Sequence, residues 1–188
     1  MNDPVDLTNH FLIAMPNLGD PNFFQAAIYI CDHNADGTLG IVINKPIDHV
    51  NLGRVFDQMD IEVSVPRVAE QPLFRGGPVQ QEHGFVLHRP VGGWRGTMRC
   101  SDELGLTTSK DILTAIAQGE GPKDSLIALG YAGWGAGQLE QELAENAWLS
   151  TYADPQILFE TPPERRWHAA AGLLGVDLNL LSGDAGHA

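Results

Sequence analysis

The residue types that could do chemistry gather in two glycine-rich stretches. Gly130-Tyr131-Ala132-Gly133-Trp134-Gly135-Ala136-Gly137-Gln138-Leu139-Glu140 reads as a strand, a tight turn and the start of a helix, the order that builds a phosphate cradle. Its spacing is neither G-x-G-x-x-G nor G-x-x-x-x-G-K-S/T. The helix it opens carries Glu140, Glu142 and Glu145, which complement the helix dipole and repel a second anion. The favoured reading is structural: the glycines permit close chain approach and Trp134 plugs a core. Gly76-Gly77-Pro78 reads likewise as a turn. The functional alternative has both turns lining one cleft, made of Asn44, Arg75, Gly76, Gly77, Gly133, Trp134 and Gln138, because sites concentrate in turns held by a rigid scaffold. Arg75 and Gln138 would be its polar contacts.

Nothing else in the chain forms a recognisable catalytic set. The seven histidines include no HExxH and no pair at i, i+4. His33, between Asp32 and Asp36 at a turn, reads as solvated and not as a metal ligand. His88, closing an apolar run, reads as a hydrogen-bonded boundary residue. No serine sits in a G-x-S-x-G elbow. Cys31 and Cys100 are far apart in sequence, and Cys31 ends the run Ala26-Ala27-Ile28-Tyr29-Ile30, where a buried thiol is expected. Glu140 and Glu142 point to different helix faces. No metal and no cofactor is expected.

The elements that must position these residues are short and mixed. His10–Met15 reads as a buried strand stopped by Pro16. Phe23–Cys31 is apolar at odd and even positions, so a strand covered on both faces is expected. Asp36-Gly37 joins it to Thr38–Ile43 as a hairpin. Asn51 can cap a helix with Leu52, Val55, Phe56 and Met59 on one face. Residues 61–71 read as irregular, Leu73-Phe74 and Gly84–His88 as a pair of strands, and Thr97–Cys100 as a weaker one. Thr108 with Asp111 forms a capping box for a helix that Gly119 closes. Ser125–Tyr131 reads as a strand, Gln138 to Asn146 as a helix, and Trp148-Leu149 and Gln156–Phe159 as short strands. Thr161, Pro162 and Glu164 would start a last helix through Trp167 toward Leu174. The tail from Leu181 is small and polar. Helices interspersed with hairpins indicate an α+β fold with a mixed sheet.

The 188 residues suit one domain spanning 1–188. Eleven Lys and Arg against 24 Asp and Glu leave a net charge of −13. Such a surface repels nucleic acid and anionic membranes, so direct DNA binding is disfavoured and any protein partner should be basic. Arg165-Arg166 and the stretch Arg89 to Arg99 are the nearest approach to a basic patch. The start, Met1-Asn2-Asp3-Pro4-Val5-Asp6, lacks the basic region of a secretory signal, and no apolar run has the ~20 residues of a membrane helix. The cytoplasm is the expected location.

Taken in order, the motifs resemble the bacterial AlgH/YqgE family. They are His10-Phe11-Leu12-Ile13-Ala14-Met15-Pro16, Asp20-Pro21-Asn22-Phe23, Ile41-Val42-Ile43-Asn44-Lys45-Pro46, Gly76-Gly77-Pro78-Val79, Gly84-Phe85-Val86-Leu87-His88, Thr107-Thr108-Ser109-Lys110-Asp111-Ile112-Leu113, the 130–140 segment and Ala185-Gly186-His187-Ala188. Thr38-Leu39 stands where the family pattern has Ala-Met. The resemblance implies a bifurcated mixed sheet folded into a pseudo-barrel with flanking helices. It carries the label of transcriptional regulators but no established catalytic residues, so none are transferred. The reading adopted is a non-enzymatic regulatory or adaptor protein acting through protein or ligand binding. The competing one is a sensor for a small molecule such as a nucleotide, or an enzyme, using the cleft at the two glycine turns.

Overall fold

In the computed structural model, which describes residues 5–185, strand β1 (His10–Ala14), β2 (Ala27–Asn34) and β3 (Gly37–Val42) run antiparallel side by side. The β2–β3 turn is Ala35-Asp36, within the expected hairpin. Ala26 to Cys31 are all buried. Ala27, Tyr29 and Cys31 join Phe11, Ile13 and Leu87 on one side of the sheet. Ile28 and Ile30 join Leu12 and Trp134 on the other. Phe23, Phe24 and Gln25 belong to the preceding turn instead of the strand: Phe23 N–H donates to Asp20 O, and Ala26 N–H to Phe23 O.

The organising element is β9 (Asp124–Gly135). One edge of it takes β6 (Val79–Arg89), antiparallel. The opposite edge is shared: Ile127–Leu129 pair with β5 (Pro72–Arg75) in parallel, and Ala132–Gly135 pair with β3 antiparallel. The sheet therefore forks at Gly130. There the chain at Gly76-Gly77 lies directly against the β9 backbone, and Gly76 both donates to Leu129 O (2.8 Å) and accepts from Val42 N–H (2.9 Å). A Cβ on Gly77 would stand 2.0 Å from the Tyr131 carbonyl carbon, and one on Gly130, whose φ is +79°, would stand 2.4 Å from Gly77 O. Only glycine fits such an approach.

Beyond the fork, β4 (Pro46–Asn51) pairs with β5. Strands β8 (Gly105–Thr107) and β7 (Thr97–Arg99) extend the sheet past β6, and β10 (Trp148–Tyr152) lies outside β1. The ten strands curl into a half-barrel, the bifurcated mixed sheet that the resemblance implies. Helices α1 (Leu52–Gln58) and α2 (Lys110–Ala117) press Leu52, Phe56, Ile112, Leu113 and Ile116 onto Leu73, Val86 and Ile127. On the other side α4 (Pro155–Phe159), α5 (Arg166–Gly172) and α6 (Leu178–Ala185) deliver Leu158, Trp167, Ala171 and Leu178 to the core around Phe11 and Tyr29. Helix α3 (Gln138–Ala144) buries Leu139 among Leu12, Ile28, Trp134 and Trp148.

Several local expectations differ from the structure for identifiable reasons. Leu73-Phe74 and Gly84–His88 are both strands, yet they flank β9 instead of pairing with each other. Gly133-Trp134-Gly135 is not a turn, because β9 runs on through it to pair with β3. Gln156–Phe159 is helical: the Asp154 carboxylate accepts the Gln156 N–H and Pro155 occupies the first turn, a cap and N1 proline that outweigh the apolar run. The cap of α2 is Ser109, not Thr108. Helix α5 starts at Arg166, after a 3₁₀ turn at Pro163–Arg165. The tail from Leu181 lies in α6 as far as Ala185, and the Gly186-His187-Ala188 ending lies outside the described residues. No helix among the described residues is long and apolar enough to cross a membrane.

Candidate functional site

The two glycine stretches adjoin at the fork, but backbone fills the space between them. Gly76 and Gly77 are buried against β9, and the Arg75 side chain is exposed. Asn44 fastens the loop before β2: its Oδ1 accepts from Ala27 N–H (2.9 Å) and its Nδ2 donates to Gln25 O (2.8 Å). The neighbouring Lys45 Nζ donates to Phe24 O. Gly133 and Trp134 border a separate open groove of about 450 Å3 whose rim is acidic, with Asp32 and Asp36. Gln138 caps its own turn, accepting from Gly135 N–H (3.0 Å) and donating to Glu142 Oε2 (3.0 Å). The other oxygen of Glu142 accepts both indole N–H groups, Trp134 at 3.2 Å and Trp148 at 3.0 Å. Each of these contacts is a packing or fastening contact.

Glu140 indeed points away from Glu142. It accepts from His33 Nε2 at 2.6 Å. His33 is buried and not solvated: its Nδ1 accepts the Leu7 N–H (2.9 Å), which assigns the hydrogen of the neutral ring to Nε2. Both ring nitrogens are thus committed to holding the N-terminal segment and α3 on β2. Cys31 and Cys100 lie buried in one cluster. Burial, reinforced by the adjacent Cys100, pushes the Cys31 thiol well above its usual range, which leaves it a packing group and not a nucleophile. Arg166 is 5% exposed. It donates to Thr161 O (2.8 Å) and Ile43 O (2.6 Å) and sits 5.2 Å above the Phe74 ring. Burial pushes its guanidinium down to about 10. Half of the Arg165-Arg166 pair is therefore interior structure.

The enclosure best shaped to hold a molecule lies elsewhere, between α1 and the start of α2. It has a volume of about 520 Å3 and a floor of Leu73, Val86, Ile127 and Leu129, walled by Val55, Met59 and Leu113. Its rim is polar: Arg54 and Gln58 on α1, Glu82 and His83 on β6, and Thr108, Ser109 and Lys110 at the start of α2. An apolar concavity of this size with a few convergent polar groups is the usual form of a small-molecule site. No sequence signal singled it out, although Thr107–Leu113 stands among the family motifs.

Leading from Thr107, just before α2, runs a partly buried chain of hydrogen bonds. His88, 0% exposed, has Nδ1 2.9 Å from Pro90 O and Nε2 2.7 Å from Thr107 Oγ1. Thr107 Oγ1 is 2.8 Å from Thr97 Oγ1, which also lies 2.7 Å from Trp94 O. The carbonyls at both ends only accept. These four contacts require four hydrogens, whereas a neutral ring and two hydroxyls supply three. An imidazolium would complete the chain. Burial opposes that and lowers the His88 pKa, offset in part by the Pro90 carbonyl. Trp94 and its neighbour Arg95 reach the cap of α2, since Arg95 N–H donates to Asp111 (3.0 Å) and Ser109 Oγ donates to Arg95 O (2.6 Å).

The architecture defines a class: mixed α+β proteins in which a curled sheet forms a half-barrel flanked by helices. The solution structure of the AlgH protein from Pseudomonas aeruginosa matches it with a TM-score of 0.80 and 50% sequence identity, over 100% of this chain and 99% of that one. A protein of Corynebacterium diphtheriae shares the fold at 21% identity, with a TM-score of 0.75 over 97% of this chain and 94% of that one. The AlgH-like family model, DUF179, matches residues 11–179, and the chain belongs to that family. It is 62% identical to a UPF0301 protein of Thioalkalivibrio sulfidiphilus, over 97% of both chains. It is 58% identical to a UPF0301 protein of Nitrosococcus oceani, over 96% of both.

Proposed function

We propose that this chain is a non-enzymatic regulatory protein that works by binding, with a small ligand seated in the cleft between α1 and α2. The observation that carries the reading is the cleft itself, a volume of about 520 Å3 with an apolar floor and a polar rim. Both helices that wall it are short and packed through one face, so an occupant touching both would couple their positions. The acidic surface, at −13 net charge, suits a basic protein partner that reads the occupied state.

A thermal-shift screen of the purified chain against metabolites and nucleotides tests this. A ligand at 100 times its dissociation constant adds about 2.7 kcal/mol, a rise of roughly 5–10 °C in melting temperature for a chain of this size. A hit whose binding disappears when the cleft floor is narrowed by Val86→Phe supports the site. Hits unaffected by that change, or none across a broad panel, would remove the cleft as the basis of function.

A further inference from the structure

We propose that the cleft takes an amphipathic anion, a molecule with an apolar body and a carboxylate or phosphate at one end. This rests on the cleft being the binding site. The apolar half of the argument comes from the floor, where Leu73, Val86 and Ile127 from three adjacent strands present hydrocarbon. Filling it removes apolar surface from water and disfavours a wholly polar occupant.

The charge half comes from the rim. Arg54 on α1 and Lys110 at the first position of α2 both line the cleft, one on each of the two helices beside it. Both are exposed, and neither is ion-paired to a carboxylate among the described residues. The one acid on the rim, Glu82, lies 3.4 Å from His83. In a chain with 24 acidic and 11 basic residues, an arbitrary piece of surface carries more negative than positive charge. The mouth of this cleft is the reverse, with two permanent cations against one carboxylate. A ligand with its tail on the floor and an anionic head between Arg54 and Lys110 uses both features. A cationic head would meet two like charges, and a neutral one would leave both cations unused.

Three ten-carbon probes below their micelle concentrations separate the outcomes: decanoate and decyl phosphate as anions, and decan-1-ol as the neutral equivalent. Binding to the full-length chain is followed through methyl chemical shifts of Val86, Leu113 and Ile127. Decanoate or decyl phosphate should perturb these methyls at lower concentration than decanol. The surface pair R54Q and K110Q together should weaken the anions roughly tenfold while leaving decanol unchanged, since two exposed charge contacts are removed at once. Decanoate against decyl phosphate then shows which head fits better. Decanol binding as tightly as both anions would overturn the anion assignment and leave the cleft standing. If none of the three moves the cleft methyls, the binding reading falls with it.

Discussion

At the scale of single residues, the chain's polar interior is more informative than its surface. His88 sits in a hydrogen-bond chain that is one hydrogen short while the ring is neutral, and burial holds its pKa below the ordinary value. The sign of the consequence is fixed. Below about pH 6.5 an unfolded histidine takes a proton that the native ring resists, so the unfolded state binds more protons and stability falls as the pH drops. Urea midpoints measured at pH 7.5 and 5.5 should therefore fall further for the wild-type chain than for His88→Gln, and equal falls in the two would refute the assignment. Of this network the sequence showed only that His88 ends an apolar strand. Its partners Thr97 and Thr107 lie in separate strands, one of them too short to be recognised. Arg54 and Lys110 were equally hidden, because on a helix each looks like an ordinary solvated charge until the fold sets them at one opening. Conversely, Gly76 and Gly77 stand out in the sequence for their type, and the type reflects how closely backbones pass at the fork; Gly133 stands out equally, yet a Cβ there would meet only the Tyr131 ring.

Among the elements, α3 shows how a short helix is held in place. Seven residues long, it is below the length at which a helix is stable in water, so its docking contacts must hold it. Leu139 supplies the apolar contact. Glu142 supplies the polar one by accepting from Trp134 and Trp148 together. Replacing Glu142 by Leu orphans two indole donors and should cost about 1–3 kcal/mol, while Glu142→Gln keeps an acceptor and should cost less. Chemical denaturation with tryptophan fluorescence would measure both, and equal costs would mean that the carboxylate does not hold the helix. The same comparison of local and distant forces explains which elements the sequence revealed. Strands β2 and β3 are legible as apolar runs joined by an Asp-Gly turn, and helices α1 and α2 because their buried residues repeat at the helical period. The second half of β9 was not. Glycines in Gly133-Trp134-Gly135 signal a turn locally, and only pairing with Gly37–Leu39 keeps that backbone extended. Strand β8, three residues long, has no periodicity to read. Helix α4 reads locally as a strand from its apolar residues, and the Asp154 cap with Pro155 makes it a helix.

For the molecule as a whole, the net charge of −13 acts against compactness, because like charges repel across a folded surface more than along an extended chain. Salt shortens the reach of that repulsion, from a Debye length of about 30 Å at 0.01 M to about 8 Å at 0.15 M. The melting temperature should therefore rise with sodium chloride over this range. A fall would show that attractive pairs such as Arg89–Asp124 (2.6 Å) outweigh the general repulsion. The fork at β9 also has a bearing on how the chain is made. All three strands that pair with β9 lie before it in the sequence: β3, β5 and β6. A ribosome adding about 5–20 residues per second releases Ile41 and Val42 on the order of ten seconds before Ala132, the residue near which β3 finds its neighbour. Throughout synthesis of the intervening segment, apolar strands stand with open edges beside other nascent copies of themselves. The strand that unites the finished sheet is thus the one whose late arrival sets how long those edges stay open to aggregation during synthesis.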